Sequence, residues 1–261
     1  MFYPKYCKGN IYFAFYSCAV GKKIRFSGWK EFKKAFLEET HYLNSHFQNI
    51  DANIPFSSTD SITTIAGKIA TLHQESIEDT MNLISHAELH KATVLLHKSR
   101  EIRLFCLGDM NYPAESFIFK LRRINKRAFI DPVQDNMFHD AIMTTEKDCA
   151  ICISYSGESP TLLKFVRYLR ENHVPIIAIT SIGDNSLSKA ADVTLRLCTR
   201  ERSFSKIYGF SSMESVNLIL DILYAELFAM HYEQNLKYKL DVADRVERDR
   251  IIDNQIIKED T

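Results

Sequence analysis

The chain carries no net charge. Lys and Arg together number 33, as do Asp and Glu, so no global field draws it to a nucleic acid and any such contact must come from a local basic patch. It also lacks a run of about 18 apolar residues, which excludes an ordinary membrane-spanning helix. The apolar, aromatic segment 11–20 is too short to span. Gly21-Lys22-Lys23 follows it directly, where a signal peptide would need a small-residue cleavage site, so the segment reads as buried helix. The six cysteines lack the spacing of a disulfide framework, as expected in a reducing cytoplasm. Cys149 and Cys152 spell C-x-x-C, but on a strand positions i and i+3 face opposite ways, so the pair reads as core. His86 and His90 lack the adjacent glutamate of a zinc-protease helix and a third ligand, and read as helix surface.

What is present is an ordinary globular composition. The 261 residues are 46% hydrophobic and 25% charged, enough for one large core and a smaller domain. Residues 1–47 are aromatic and basic, with six basic side chains (Lys22, Lys23, Arg25, Lys30, Lys33, Lys34) against one acid, Glu31, in 22–34. Phe32, Phe36 and Leu37 share a helical face that Leu43 and Phe47 extend. Residues 48–60, with Pro55 and a Ser-Ser-Thr-Asp cluster, read as a linker ending in a helix start. In 61–99 the apolar positions Ile62, Ile65, Ile69, Leu72, Ile77, Met81 and Ile84, then Leu89, Ala92, Val94, Leu95 and Leu96, predict two helices. The first suits an intrachain core and a partner subunit equally.

After Arg100 the period changes. Apolar runs at 102–107, 128–130, 149–154, 175–180 and 193–197 alternate with helical or loop stretches, which predicts an α/β fold with a five-stranded, parallel, doubly wound sheet. An apolar helix at 212–230 closes the domain, set at 61–235, and a polar tail that is helical or disordered follows at 236–261. A small, incomplete all-α region precedes it.

The most informative stretch is Ala150-Ile-Cys-Ile-Ser-Tyr-Ser-Gly-Glu-Ser-Pro-Thr161. An apolar strand ends in Ser154, Gly157 permits a tight turn, and Pro160 suits the first helical position of a helix running to about Asn172. The helix's free amides and dipole would face an anion, with Ser154, Ser156, Ser159 and Thr161 offering hydroxyls beside them. The competing reading is that Ser159 is only an N-cap and the other serines only satisfy the turn. In open parallel sheets ligands sit beyond the carboxyl ends of the strands. Gly108 to Asn111, residues 154–161, and Thr180 with Ser181 all fall on that rim, which favours the anion site.

Residues 150–161 and Ile176-Ile-Ala-Ile-Thr-Ser181 resemble the signature strands of the sugar isomerase (SIS) domain, a flavodoxin-like fold that binds phosphorylated sugars. Lys22-Lys-Ile-Arg-Phe-Ser-Gly-Trp-Lys-Glu-Phe-Lys-Lys34 resembles the end of the helix-turn-helix domain of RpiR-type transcriptional regulators. The resemblance implies a cytoplasmic, homodimeric or homotetrameric regulator of carbohydrate metabolism that binds operator DNA and senses a phosphosugar, without cofactor, metal or catalysis. It assigns ligand contacts to Ser154, Ser156, Ser159 and Thr161, and to Ser211 and Ser212, for which a helix cap is the alternative; the position of the rim adds Gly157, Gly108, Asn111 and Thr180. DNA contacts would fall to Lys22, Lys23, Arg25 and Lys30, although a solvated helix face explains the basic run at 22–34 equally well.

The chain departs from the family pattern in two places. The family's glycine- and serine-rich loop after the first strand is here Cys106-Leu-Gly-Asp-Met-Asn-Tyr112, in which Asp109 repels a dianion and Asn111 offers a donor instead. About 20 residues precede Lys22, and 12–20 lack the small polar and arginine side chains that read bases, so a shortened or degenerate DNA-binding region is expected. Two alternatives stay open: a sugar-phosphate isomerase drawing its base from Glu158, Glu214 or His139, and a phosphosugar-binding subunit that has lost DNA binding.

Overall fold

A computed structural model describes residues 50–247. The expected DNA-contacting residues Lys22, Lys23, Arg25 and Lys30, and the helical region 1–47, lie outside the described residues. The described chain falls into two compact units, one formed by 50–79 with 200–214 and the other by 80–199 with 215–247. Helices α1 (Ile62–Leu83) and α7 (Phe210–Met230) each cross the boundary in sequence.

The larger unit is built on the five apolar runs. They form β1 (Ile102–Phe105), β2 (Ala128–Phe129), β3 (Cys149–Ser154), β4 (Ile176–Thr180) and β5 (Val193–Arg196). All pair in parallel, in the order β2-β1-β3-β4-β5. The burial of each strand follows from its place. Central β3 and β4 are buried on both faces except at Ser154, whereas edge strand β5 alternates buried with half-buried residues. β1 stops two residues short of the apolar run because the backbone turns at Gly108 into a short 3-10 helix, Gly108–Met110.

Helices cover the sheet by the usual period. α3 (Asn111–Arg122) buries Pro113, Ala114, Phe117, Ile118 and Leu121, and α5 (Pro160–Glu171) buries Leu162, Phe165, Val166 and Leu169. Phe165 meets Phe105 of β1 and Phe138 of α4 (Gln134–Met143) at centroid distances of 5.9 and 4.7 Å. Each such fully buried side chain contributes about 1.5–3 kcal/mol. α2 (His86–Lys98) is tied to β5 by a hydrogen bond from the Thr194 amide to Glu88, and α6 (Ser186–Ala190) lies between β4 and β5 in sequence. Cys149 and Cys152 are buried free thiols on β3, as the core reading requires. α8 (Tyr232–Glu247) continues the helical path into the polar tail. Among the described residues no helix is long and apolar enough to cross a membrane.

This strand order fixes where a ligand can sit. From β1 the chain crosses to β2 on one side and then to β3 on the other, so the order reverses between β1 and β3, and the loops leaving those strands part to form a crevice at their carboxyl ends.

Candidate functional site

The loop after β3 supplies most of the polar chemistry at this switch point. Gly157 has φ +67°, in the left-handed region, and a Cβ there would stand 2.2 Å from the Asn185 side chain, so only glycine fits. The turn also consumes the acceptor side of its hydroxyls. Ser154 Oγ accepts from the Gly157 amide and Ser156 Oγ from the Glu158 amide, both at 3.2 Å. Each serine proton is thereby left available to donate. Ser159 caps α5, its Oγ accepting from the Leu162 amide at 3.5 Å, and Pro160 opens the helix. Ser156 is exposed, and Ser154, Ser159 and Thr161 are half-buried. Capping and anion binding are therefore compatible in this loop, because the cap is long and the hydroxyl protons are not used by it.

A layer beneath holds the turn in shape. Thr180 is fully buried, donates from Oγ1 to the Tyr155 carbonyl at 3.4 Å and accepts from Asn185 Nδ2 at 3.1 Å. Its hydroxyl thus braces the loop from below. Asn185 also caps α6, with Oδ1 accepting from the Ser188 amide at 2.8 Å and Ser188 Oγ accepting from the Asn185 amide at 3.1 Å. The Gly157 carbonyl accepts from the Leu187 amide at 3.0 Å. The Glu158 carboxylate accepts from the Ser186 amide at 2.7 Å, and hydrogen bonding from Ser186 holds its pKa below the ordinary glutamate value. Asn185 is a part of the site that sequence reading missed. The available signal was the Asn-x-x-Ser capping box that begins α6.

The loop after β1 is different in kind. Gly108 has φ +66° with open space where a Cβ would stand. The buried Cys106 thiol has two acceptors within reach of its one proton, Asn111 Oδ1 at 3.2 Å and the Met110 carbonyl at 3.4 Å, and burial pushes its pKa up to about 12. Asn111 is half-buried at the start of α3.

Ser211 and Ser212 belong to the smaller unit, in the first turn of α7. There the Glu201 side chain, fully buried, accepts from the Ser211 amide at 2.6 Å, the Ser212 amide at 3.1 Å and Ser212 Oγ at 2.7 Å, and pairs with Lys206 at 2.7 Å. An internal carboxylate thus occupies the place an external anion takes at a helix start. Ser211 Oγ is buried and without a partner. Gly209 closes this loop, since a Cβ there would meet Ser212 Oγ at 2.7 Å. No local pattern marks Glu201 in the sequence; only its burial does.

The isomerase candidates are placed on separate elements. Glu158 holds α6, exposed His139 lies on α4, and Glu214 on α7 pairs with His73 Nδ1 at 3.2 Å. Two surface clefts of about 480 and 420 Å³ lie away from the rim, one around Arg100, Thr144 and Asn172 and the other around Phe119, Arg123 and Tyr224. The rim is marked by its converging donors.

A family model for the SIS domain matches residues 95–225, half of the chain. A helix-turn-helix-type transcriptional regulator of Haemophilus influenzae is 28% identical over 208 residues, covering 79% of this chain and 71% of that protein. Among solved structures, the Vibrio vulnificus NanR protein complexed with ManNAc-6P superposes with a TM-score of 0.66 at 18% identity, over 91% of this chain and 81% of that one. The sugar isomerase domain of an RpiR transcription factor from Sphaerobacter thermophilus gives 0.61 at 18%, over 69% and 97%. At such identities the structures establish the fold. The chain belongs to the SIS domain family.

Proposed function

We propose that the protein is a DNA-binding transcriptional regulator of carbohydrate metabolism whose SIS domain, at 61–235, senses a phosphorylated sugar or sugar derivative. The observation that carries this reading is the loop at 154–161, where two serine hydroxyls with unused protons and the N-terminus of α5 converge at the topological switch point. Ser154, Ser156, Ser159, Thr161 and the Gly157 turn hold the phosphate, with Thr180 and Asn185 supporting them. Gly108 and Asn111 face the sugar end. Ser211 and Ser212 serve the Glu201 carboxylate at the start of α7. The protein works in the cytoplasm as a homodimer or homotetramer and senses its ligand without converting it, a reading supported by Glu158 serving α6 and Glu214 pairing with His73. Relatives named as transcriptional regulators, and a neighbour of the same fold solved with a sugar phosphate, support the assignment.

Regulation requires the ligand to prefer one arrangement of the assembly. A preference of about 1–3 kcal/mol changes operator affinity roughly 5- to 150-fold. Fluorescence anisotropy on DNA from the protein's own gene neighbourhood, with and without a panel of hexose and N-acylhexosamine phosphates, should show binding that the effector alters by that factor. DNA binding without any effector response would remove the sensing half. Effector binding without DNA binding would instead support a sensing subunit that has lost DNA recognition.

A further inference from the structure

We propose that the outward face of α7 is the surface on which a second copy of this chain docks, about a two-fold axis that runs along the helix. This names an interface for the homo-oligomer assigned above and does not depend on the reading of the rim. From Ser215 to Met230 the helix is apolar on every side, and its only charged residues are Asp221 and Glu226. A helix of that kind is ordinarily buried all round. Val216, Ile219, Leu220, Leu223 and Leu227 fill one face and are buried. On the opposite face Leu218, Ile222 and Phe228 are only half-buried and Ala225 and Ala229 are exposed, with the exposed Tyr232 beyond them. Tyr224, Phe228 and Tyr232 run along it edge to face, at centroid distances of 6.0 and 5.5 Å. One apolar face is covered and its opposite is not.

The charges on the edges of this face select what covers it. Asp221 pairs with Lys120 of α3. On that same edge Arg123 of α3 lies over the exposed Phe119 ring, 4.7 Å from its centroid, and beside Tyr224. Glu226 stands on the other edge, about 140° round the helix from Asp221. Among the described residues neither Arg123 nor Glu226 has an ion-pair partner. A two-fold axis along α7 exchanges the edges, so that Arg123 of each copy meets Glu226 of the other. Between the edges Ala225 and Ala229, one turn apart, let two helices approach closely. The face is thus complementary to itself, in shape and in charge.

The test is sedimentation velocity on the full-length protein over a range of concentrations, with thermal melts beside it. Ala225→Glu puts a carboxylate at the centre of the face, at an exposed position that a single chain accommodates. It should weaken association more than about a hundredfold, taking a tetramer to dimers or a dimer to monomers. Arg123→Glu and Glu226→Arg each set two like-charged pairs across the axis and should weaken association about tenfold. Mixed in equal amounts, the two variants should recover wild-type association, because every edge contact then joins Glu to Arg. An Ala225→Glu protein with the mass of the wild type would overturn the interface, and a mixture that recovers nothing would overturn the two-fold arrangement. A wild type that stays monomeric would overturn both, together with the homo-oligomer, while ligand calorimetry still judges the rim by itself. If that monomer also melts lower as Ala225→Glu, the face is covered from within the chain and not by a second copy.

Discussion

The helices α5 and α7 begin in the same kind of sequence and are satisfied in opposite ways. Both open with serines, and both present free amides and a positive dipole end. At α7 the Glu201 carboxylate has taken the amides and one of the hydroxyls. At α5 the nearest acid in sequence, Glu158, turns to Ser186 instead, and Ser159 makes only a 3.5 Å cap. Serines at a helix start therefore do not identify an anion site by themselves. What identifies it is where the nearest carboxylate goes.

The contrast can be broken most forcefully at Glu201. Removing it by Glu201→Ala takes away the acceptor of the Ser211 and Ser212 amides and the carboxylate paired with Lys206, and loss of one member of a buried charged pair costs about 3–5 kcal/mol. Thermal unfolding should show a large drop in Tm. Added inorganic phosphate should recover part of it, more than it stabilises the wild type, because α7 would then resemble α5. A variant that is destabilised but indifferent to phosphate would show that the α7 terminus is no latent anion site.

The next largest effect belongs to Gly157→Ala. It forces a side chain into a left-handed backbone and against Asn185, at a cost of about 3 kcal/mol. Because the clash lies inside the turn, sugar-phosphate affinity should fall together with stability. Calorimetry finding normal affinity in a destabilised Gly157→Ala protein would separate the turn from the ligand.

How much of this was legible beforehand depended on range. The strands were readable because central parallel strands are nearly continuous apolar runs: 149–154 is β3 to the residue, and 175–180 exceeds β4 by one. The turn at Gly157 was readable because glycine, serine and proline each carry a local preference. β1 was overread by two residues, since Cys106 and Leu107 are apolar yet lie beyond the last ladder pair, Phe105 with Cys152. Asn185 and Glu201 were missed for another reason. Asn185 lies 28 residues from Gly157 in sequence and Glu201 ten from Ser211, so their roles arise only when the chain folds back, and no periodicity encodes such a meeting. Ser211 and Ser212 show the reverse error of range, a local pattern that promises an open terminus and a distant carboxylate that fills it.

On the α5 side, Ser154→Ala and Ser156→Ala should each weaken sugar-phosphate binding by about 1–3 kcal/mol, the range for hydrogen bonds to a charged group, besides losing the bonds from the Gly157 and Glu158 amides. The alternative, that the hydroxyls serve only those amides, predicts that stability falls and affinity holds. Calorimetry and thermal melts on the double variant distinguish the two, and unchanged affinity would place the phosphate elsewhere.

The smallest effect separates the two acids by pH. Glu158 has its folded pKa lowered by Ser186, so its contribution is fully present above the unfolded value of 4.5 and is lost as pH falls through the lower folded value. A phosphate ester loses its second charge near pH 6. Acidification should therefore weaken ligand binding first, while the Glu158 contact to α6 survives to below pH 4.5. Carboxyl 13C titration of Glu158, read beside the Ser186 amide signal, should give a single midpoint below that value, moved part of the way back up by Ser186→Ala, which removes the hydroxyl but keeps the amide donor. A midpoint at or above the ordinary value would mean that Glu158 is not tied to α6. It would then be free to turn towards the N-terminus of α5, the position Glu201 holds at α7, and the two helix starts would no longer differ.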